Sequence, residues 1–337
     1  MNTILLRCVF LTLLLIGCSK EEKPTKVIEQ NISISVENLI KGKTPLTNED
    51  LLLGSTARVV VADTNIILYE DYKIMLLDKN LKVLKEFDLT DKDFMISQNP
   101  ITIEAHNNII YIMNRNSSIT KYNLINNSIE KLDFTVNNKD MAAAKDLKVT
   151  SNNYYISFTV LPHLFKMYDK ITLCRKYNYD GETETLFQID KTDIDELWKE
   201  TPDFSNVQVS NGKVYITFSM SKKIYVFDMN GTLLLSSEFS PDKKYYKVER
   251  VKDDERFSSA AKFYRPMFNN KVQIDNTGLY HIETEEFDRP LKLVKYGFEL
   301  KRLKEIPLMT MPANVNYKIY FGKDFCVFAE DQLYIYK

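Results

Sequence analysis

Between Val207 and Phe239 the chain runs VQVSNGKVYITFSMSKKIYVFDMNGTLLLSSEF, short apolar and alternating stretches broken by turn residues. Asn211-Gly212 and Asn230-Gly231 each separate two runs rich in β-branched and aromatic residues. Asn-Gly supplies the positive φ angles of a tight turn, so each pair predicts a hairpin. Met220 to Lys222 is short enough to join the hairpins into one four-stranded meander. Such a sheet has two apolar faces, and copies of the same unit are the natural cover for both.

The unit recurs. RVVVADTNIILYE, TIEAHNNIIYIM, KVTSNNYYISF, QVSNGKVYITF, VQIDNTGLYHIE and IYFGKDFCVFAE each read as strand, turn and second strand. Their turns, at Asn65, Asn108, Asn153, Gly212, Gly278 and Lys323, lie 43 to 66 residues apart, which suits repeats of about 40–50 residues carrying insertions. A second hairpin follows in all but the last, with Asp78, Asn123, Asn178, Asp228 and Gly297 in the equivalent place. Asp, Asn or Gly there suits a residue that starts a turn through a side-chain hydrogen bond or a positive φ. The last unit stops after three strands, and NISISV (Asn31 to Val36) is a strand-like run without a partner. Pairing the two would protect an open sheet edge.

These observations predict an all-β fold: a six-bladed β-propeller of four-stranded antiparallel blades over residues 31–337, its last blade closed by the N-terminal strand. A pair of β-sandwiches or a β-helix stays open as the alternative. IYVFDMNGTLLLSSEF (Ile224 to Phe239) resembles the NHL-repeat pattern, and the chain as a whole resembles the six-bladed propeller lipoproteins of Gram-negative bacteria, NHL- or TolB-like in style. The other units depart from the pattern, with Gly297 in place of the usual Asp or Asn. WD dipeptides and paired kelch glycines are absent. The resemblance implies a fold far better than a ligand.

The N-terminus carries an address. Arg7 and the apolar stretch Val9 to Ile16, far short of the ~20 residues that span a bilayer, mark residues 1–17 as a signal peptide. They end in Leu15-Ile16-Gly17-Cys18, which resembles the bacterial lipobox. That resemblance implies cleavage before Cys18, diacylglycerol on its thiol and a palmitate-type acyl group on its amine. Acyl chains at ~0.8 kcal/mol per buried CH2 anchor a protein without a spanning helix. Residues 18–30 then form the lipidated cysteine and a polar tether. Ser19-Lys20-Glu21-Glu22 resembles a surface-export signal and reads equally as a solvated linker. The expected location is the outer membrane, lipid-anchored, on its periplasmic side or at the cell surface.

Composition adds exclusions. With 45 Lys and Arg against 46 Asp and Glu, no basic excess draws the chain to nucleic acid. Cys8 leaves with the signal peptide. Cys174 and Cys326 fall in strands of distant units, and a disulfide needs Cα atoms within ~7 Å, so both are expected as buried free thiols. No metal set, cofactor motif, HExxH, GxSxG or P-loop appears. Of the three histidines, His106 lies in a turn and His281 in a strand, leaving His163 in an insertion.

Insertions between units are where binding residues are expected, because loops on a rigid scaffold carry function. Thr192 to Asp195 resembles a capping box that starts a short helix, with Ile194, Leu197 and Trp198 on one side. Trp198 reads as packing or as a sugar platform. The longest insertion places Tyr245, Tyr246, Arg256, Tyr264 and Arg265 among further cations and aromatics, a set that could grip an anionic or sugar-like ligand. His163, Trp198, Tyr245, Tyr246, Arg256, Tyr264 and Arg265 are therefore expected around one depression. The expected activity is non-enzymatic binding of a glycan, peptide or envelope protein by a monomer. An envelope lyase or hydrolase acting on glycan or peptide, and a sensor or scaffold subunit of an envelope complex, are the other readings.

Overall fold

The alternating runs fold into antiparallel meanders. The computed structural model describes residues 58–62, 65–70, 72–78, 80–90, 100–115, 117–135, 143–199, 202–219, 221–239, 246–248, 263–265, 272–275, 277–283, 292–307, 318–321, 325–329 and 332–336. The first meander is β1 (Arg58–Ala62), β2 (Asn65–Glu70), β3 (Lys73–Leu77) and β4 (Val83–Asp88), paired in that order. The second is β5 (Thr102–His106), β6 (Ile109–Met113), β7 (Ser118–Asn123) and β8 (Ile129–Thr135). The third is β9 (Ala144–Val149), β10 (Asn153–Val160), β11 (Lys170–Asn178) and β12 (Thr183–Asp190), with the short helix α1 (Leu164–Met167) between β10 and β11.

The fourth is β13 (Asp203–Ser210), β14 (Lys213–Phe218), β15 (Lys223–Asp228) and β16 (Leu233–Glu238). A hairpin, β17 (Tyr246–Val248) with β18 (Phe263–Arg265), precedes the fifth, β19 (Gln273–Asp275), β20 (Gly278–Glu283), β21 (Lys292–Tyr296) and β22 (Arg302–Pro307). The sixth sheet has three described strands, β23 (Lys318–Phe321), β24 (Phe325–Ala329) and β25 (Gln332–Tyr336). The run Asn31 to Val36, expected to complete it, lies outside the described residues, as do residues 1–17, expected as a signal peptide, and Cys18.

Successive meanders share cores. Along β6, Ile110 and Ile112 pack with Ile67, Tyr69 and Phe87 of the first meander. Tyr111 and Met113, one position out of phase, pack with Leu147, Tyr154 and Ile156 of the third. The same alternation divides β15: Tyr225 and Phe227 join the third meander's core, Ile224 and Val226 that of the fifth. A period of two sends neighbours to opposite faces, so strands covered on both sides read as continuous apolar runs. The fourth strands are left outside, and β4 is exposed at most positions.

The first strands of the meanders touch in turn: β1 with β5, β5 with β9, β9 with β13, β13 with β19, β19 with β23, and β23 with β1. The third and fourth meanders are also joined directly. β10 runs past a bulge so that Thr159 and Val160 pair with Phe204 and Asp203. Ser157 Oγ donates to the Ser205 carbonyl at 2.9 Å, and Ser205 Oγ donates to that of Phe158.

The equivalent turn residues share one geometry. Asp78, Asn178, Asp228 and Gly297 each accept from the N–H three residues on and donate to the carbonyl four residues on. The residue three positions on has positive φ: Leu81 63°, Gly181 83°, Gly231 88° and Leu300 60°. This is a type I turn with a bulge. Asn123 makes the one-residue-longer version, closing on Ser128 with Asn127 at φ 58°. The Asp and Asn side chains accept further N–H groups: Asp78 from Asn80 and Lys82, Asp228 from Asn230 and Thr232, Asn178 from Glu182. Asn230-Gly231 is therefore not the two-residue turn its dipeptide predicts. Only Gly231 of the pair has positive φ, because Asp228 starts the turn earlier. Asn211-Gly212, at φ 50° and 67°, keeps the expected form.

Candidate functional site

Two insertions meet at one end of the third and fourth meanders. The 3-10 turn Glu196–Lys199 follows β12, and Asp195 caps it, accepting Leu197 N–H at 2.9 Å. Asp195, not Thr192, is thus the capping residue. Trp198 from this turn stacks on Phe165 of α1, centroids 6.4 Å apart and planes 4° apart, and contacts Phe218 and Tyr225. Its Nε1 donates to Asp203 Oδ2 at 3.0 Å, an oxygen that also accepts Ser221 N–H at 2.7 Å. Ser221 Oγ donates to Asp195 Oδ2 at 2.5 Å. Buried carboxylates hold the insertion to the β14–β15 connection, each meeting the need of a buried polar group for partners.

The sequence-predicted residues divide. His163 precedes α1 and is exposed, and through Phe165 its segment adjoins Trp198. Trp198 is fully buried, so it is a packing residue and presents no ring face for a sugar. Tyr246 pairs with Arg265 and Lys247 with Tyr264 between β17 and β18, so the backbone of these three site candidates is brought together. Tyr245 and Arg256 lie outside the described residues. Cys174 is free and buried, and burial pushes its thiol up; the side chain of Cys326 is outside the description. His281 is buried against Phe239, and His106 lies beside Asn107. Among the described residues no set of His, Cys, Asp and Glu could hold a metal. No described helix is long and apolar enough to cross a membrane.

A second set of charges went unread in the sequence. It lies on the first strands. Lys148 of β9 pairs with Glu104 of β5. Two residues earlier on each strand, Asp146 Oδ1 and Thr102 Oγ1 are 3.4 Å apart. Asp146 Oδ2 accepts Val207 N–H of β13 at 3.0 Å. Lys145 occupies the bulge of β9, with Nζ 4.1 Å from the centroid of Phe204 at the start of β13. Burial lowers the Lys145 pKa, Arg58 at the start of β1 lowers it further, and Asp146 opposes both. The starts of β1, β5, β9 and β13 thus gather cations, a carboxylate and an aromatic ring. The available signal was a charge inside a strand that otherwise reads as core: RVVVA, TIEAH, AKDLKV.

No family model matches this chain, and no curated protein matches it. Among solved structures, it is similar to the computationally designed Ika8 protein at 9% identity, covering 83% of this chain and 70% of that one with a TM-score of 0.41. It is also similar to the WD40 β-propeller domain of Doa1 at 12% identity, covering 83% and 78% with a TM-score of 0.48. Neither likeness is close enough to bear on function.

Proposed function

We propose that this chain is a six-bladed β-propeller lipoprotein, NHL- or TolB-like, that binds a ligand without transforming it. Cys18 carries the lipid, residues 18–30 are the tether, and residues 31–337 are the propeller. The strand run at Asn31 to Val36 pairs with the last sheet. The cyclic order of contacts among first strands supports the ring, and the sixth sheet has three described strands, with the N-terminal run as the candidate fourth. The lipobox resemblance supports an outer-membrane address, on the periplasmic side or at the surface.

The binding end is the one where β1, β5, β9 and β13 begin. One observation carries this choice: charged and aromatic side chains gather there, from strands far apart in sequence, beside insertions fixed by Trp198. A fixed scaffold with polar groups in a concave setting is the usual form of a ligand site. Glycans, peptides or an envelope protein are the ligand classes.

The test is a titration of the full chain in detergent with glycan and peptide panels, read by binding and by product formation, with hydrogen exchange locating each hit. Saturable binding without turnover, protecting residues 161–169 and 191–204, is expected. Turnover would replace this reading with a lyase or hydrolase. Protection confined to the opposite hairpin turns, such as 107–108 and 211–212, would overturn the choice of end.

A further inference from the structure

We propose that the binding end takes an organic anion, a carboxylate or similar group on a flat apolar body, with Lys145 meeting the charge and Phe204 the body. This rests on the binding end proposed above and names its ligand chemistry. The two lysines of β9 differ. Lys148 is neutralised by Glu104, whereas among the described residues no hydrogen bond or ion pair holds the Lys145 ammonium. Its contact is the Phe204 ring. A half-buried ammonium with three donors and no acceptor is costly, and a ring face compensates only in part.

The carboxylate next in sequence is already engaged. Asp146 accepts Val207 N–H and lies at hydrogen-bond distance from Thr102. Arg58 adds a second positive field at Lys145. Phe204 remains 41% exposed although it begins an inner strand. Asn206, two positions on and so on the same face of β13, buries its Nδ2 with no acceptor among the described residues. A charged donor, an amide donor and an open aromatic surface thus lie on the adjoining strands β9 and β13, and among the described residues no carboxylate is hydrogen-bonded to the Lys145 ammonium or the Asn206 amide. An anion would gain charge-assisted hydrogen bonds there, and its apolar part would cover Phe204.

Benzoate, benzamide and inorganic phosphate separate charge from ring. Calorimetric titration of the detergent-solubilised full chain should show saturable benzoate binding, at least about ten-fold tighter than benzamide or phosphate. Lys145→Met should weaken benzoate by about ten-fold or more, Lys145→Arg should retain most of the affinity, and Lys213→Met, at the start of β14 beside an opposite turn, should change nothing. Near-ultraviolet circular dichroism checks that each variant is folded. Absent benzoate binding, benzamide binding as tightly as benzoate, or unchanged benzoate affinity in Lys145→Met would each overturn the inference. If panel ligands still protect 161–169 and 191–204 in that variant, the anion inference alone falls. If they protect residues at the other end, the binding end itself falls.

Discussion

Gly231 and Gly212 offer a paired test of how the third and fourth meanders pack. Both have positive φ, 88° and 67°, so alanine at either meets the left-handed penalty of roughly 1–2 kcal/mol. Part of that is offset by about 0.4–1 kcal/mol through a less flexible unfolded chain. Their surroundings differ. A Cβ on Gly212 meets nothing within 4 Å, whereas one on Gly231 falls 2.6 Å from the Leu186 carbonyl oxygen and 2.9 Å from Thr185 Cγ2. Both obstacles belong to β12, in the neighbouring meander, and the nearer one is backbone. Relieving them requires the sheets to part locally, an overpacking cost of about 1–3 kcal/mol. Gly212→Ala should therefore lose about 1 kcal/mol and Gly231→Ala about 2–4 kcal/mol. Urea unfolding followed by fluorescence of the single Trp measures both. Equal losses would show that the β15–β16 turn does not press on β12.

Asp228→Asn should keep its turn, since Asn178 does the same work uncharged, but should alter its pH response. The Thr232 N–H, then those of its neighbours, holds the Asp228 carboxyl below its ordinary range. Its contribution is full above the unfolded carboxyl pKa of about 3.9 and is lost as pH falls through the lower folded value. Acid titration of stability should therefore be flatter below about pH 4 in the variant, and identical curves would deny the turn its charge-assisted bond. Trp198 should emit as a shielded indole and resist iodide quenching, and Trp198→Phe should destabilise by about 2–4 kcal/mol through lost volume and the lost indole N–H bond to Asp203. Ready quenching in the folded protein would contradict its burial. Cys18→Ser should release the protein from membranes and abolish fatty-acid labelling, and persistent labelling would sink the lipid assignment.

Local signals were legible where one residue sets the geometry. Asp78, Asn123, Asn178 and Asp228 start turns through bonds within four or five residues, so spacing alone located the second hairpins. The turn type at Asn230-Gly231 was misread because Asp228, two residues upstream, sets the bend. Trp198 shows the other limit. An insertion's composition does not say what lies beneath it, and the acceptor that holds the indole, Asp203, also holds Ser221 from another connection. The Lys145–Phe204 pair was hidden for the same reason. It needs a bulge in β9 and the start of β13, elements whose meeting depends on the packing of two sheets.

The proposed binding end requires the six meanders to close into a ring, with Asn31 to Val36 as the proposed closing strand. Deleting residues 31–37 and, separately, 19–29 compares a strand with a tether. Thermal unfolding should show the first deletion losing much of its melting temperature and solubility, because it uncovers the edge of the last sheet. The second should match the intact chain. Equal melting temperatures for the two deletions would contradict the closed ring.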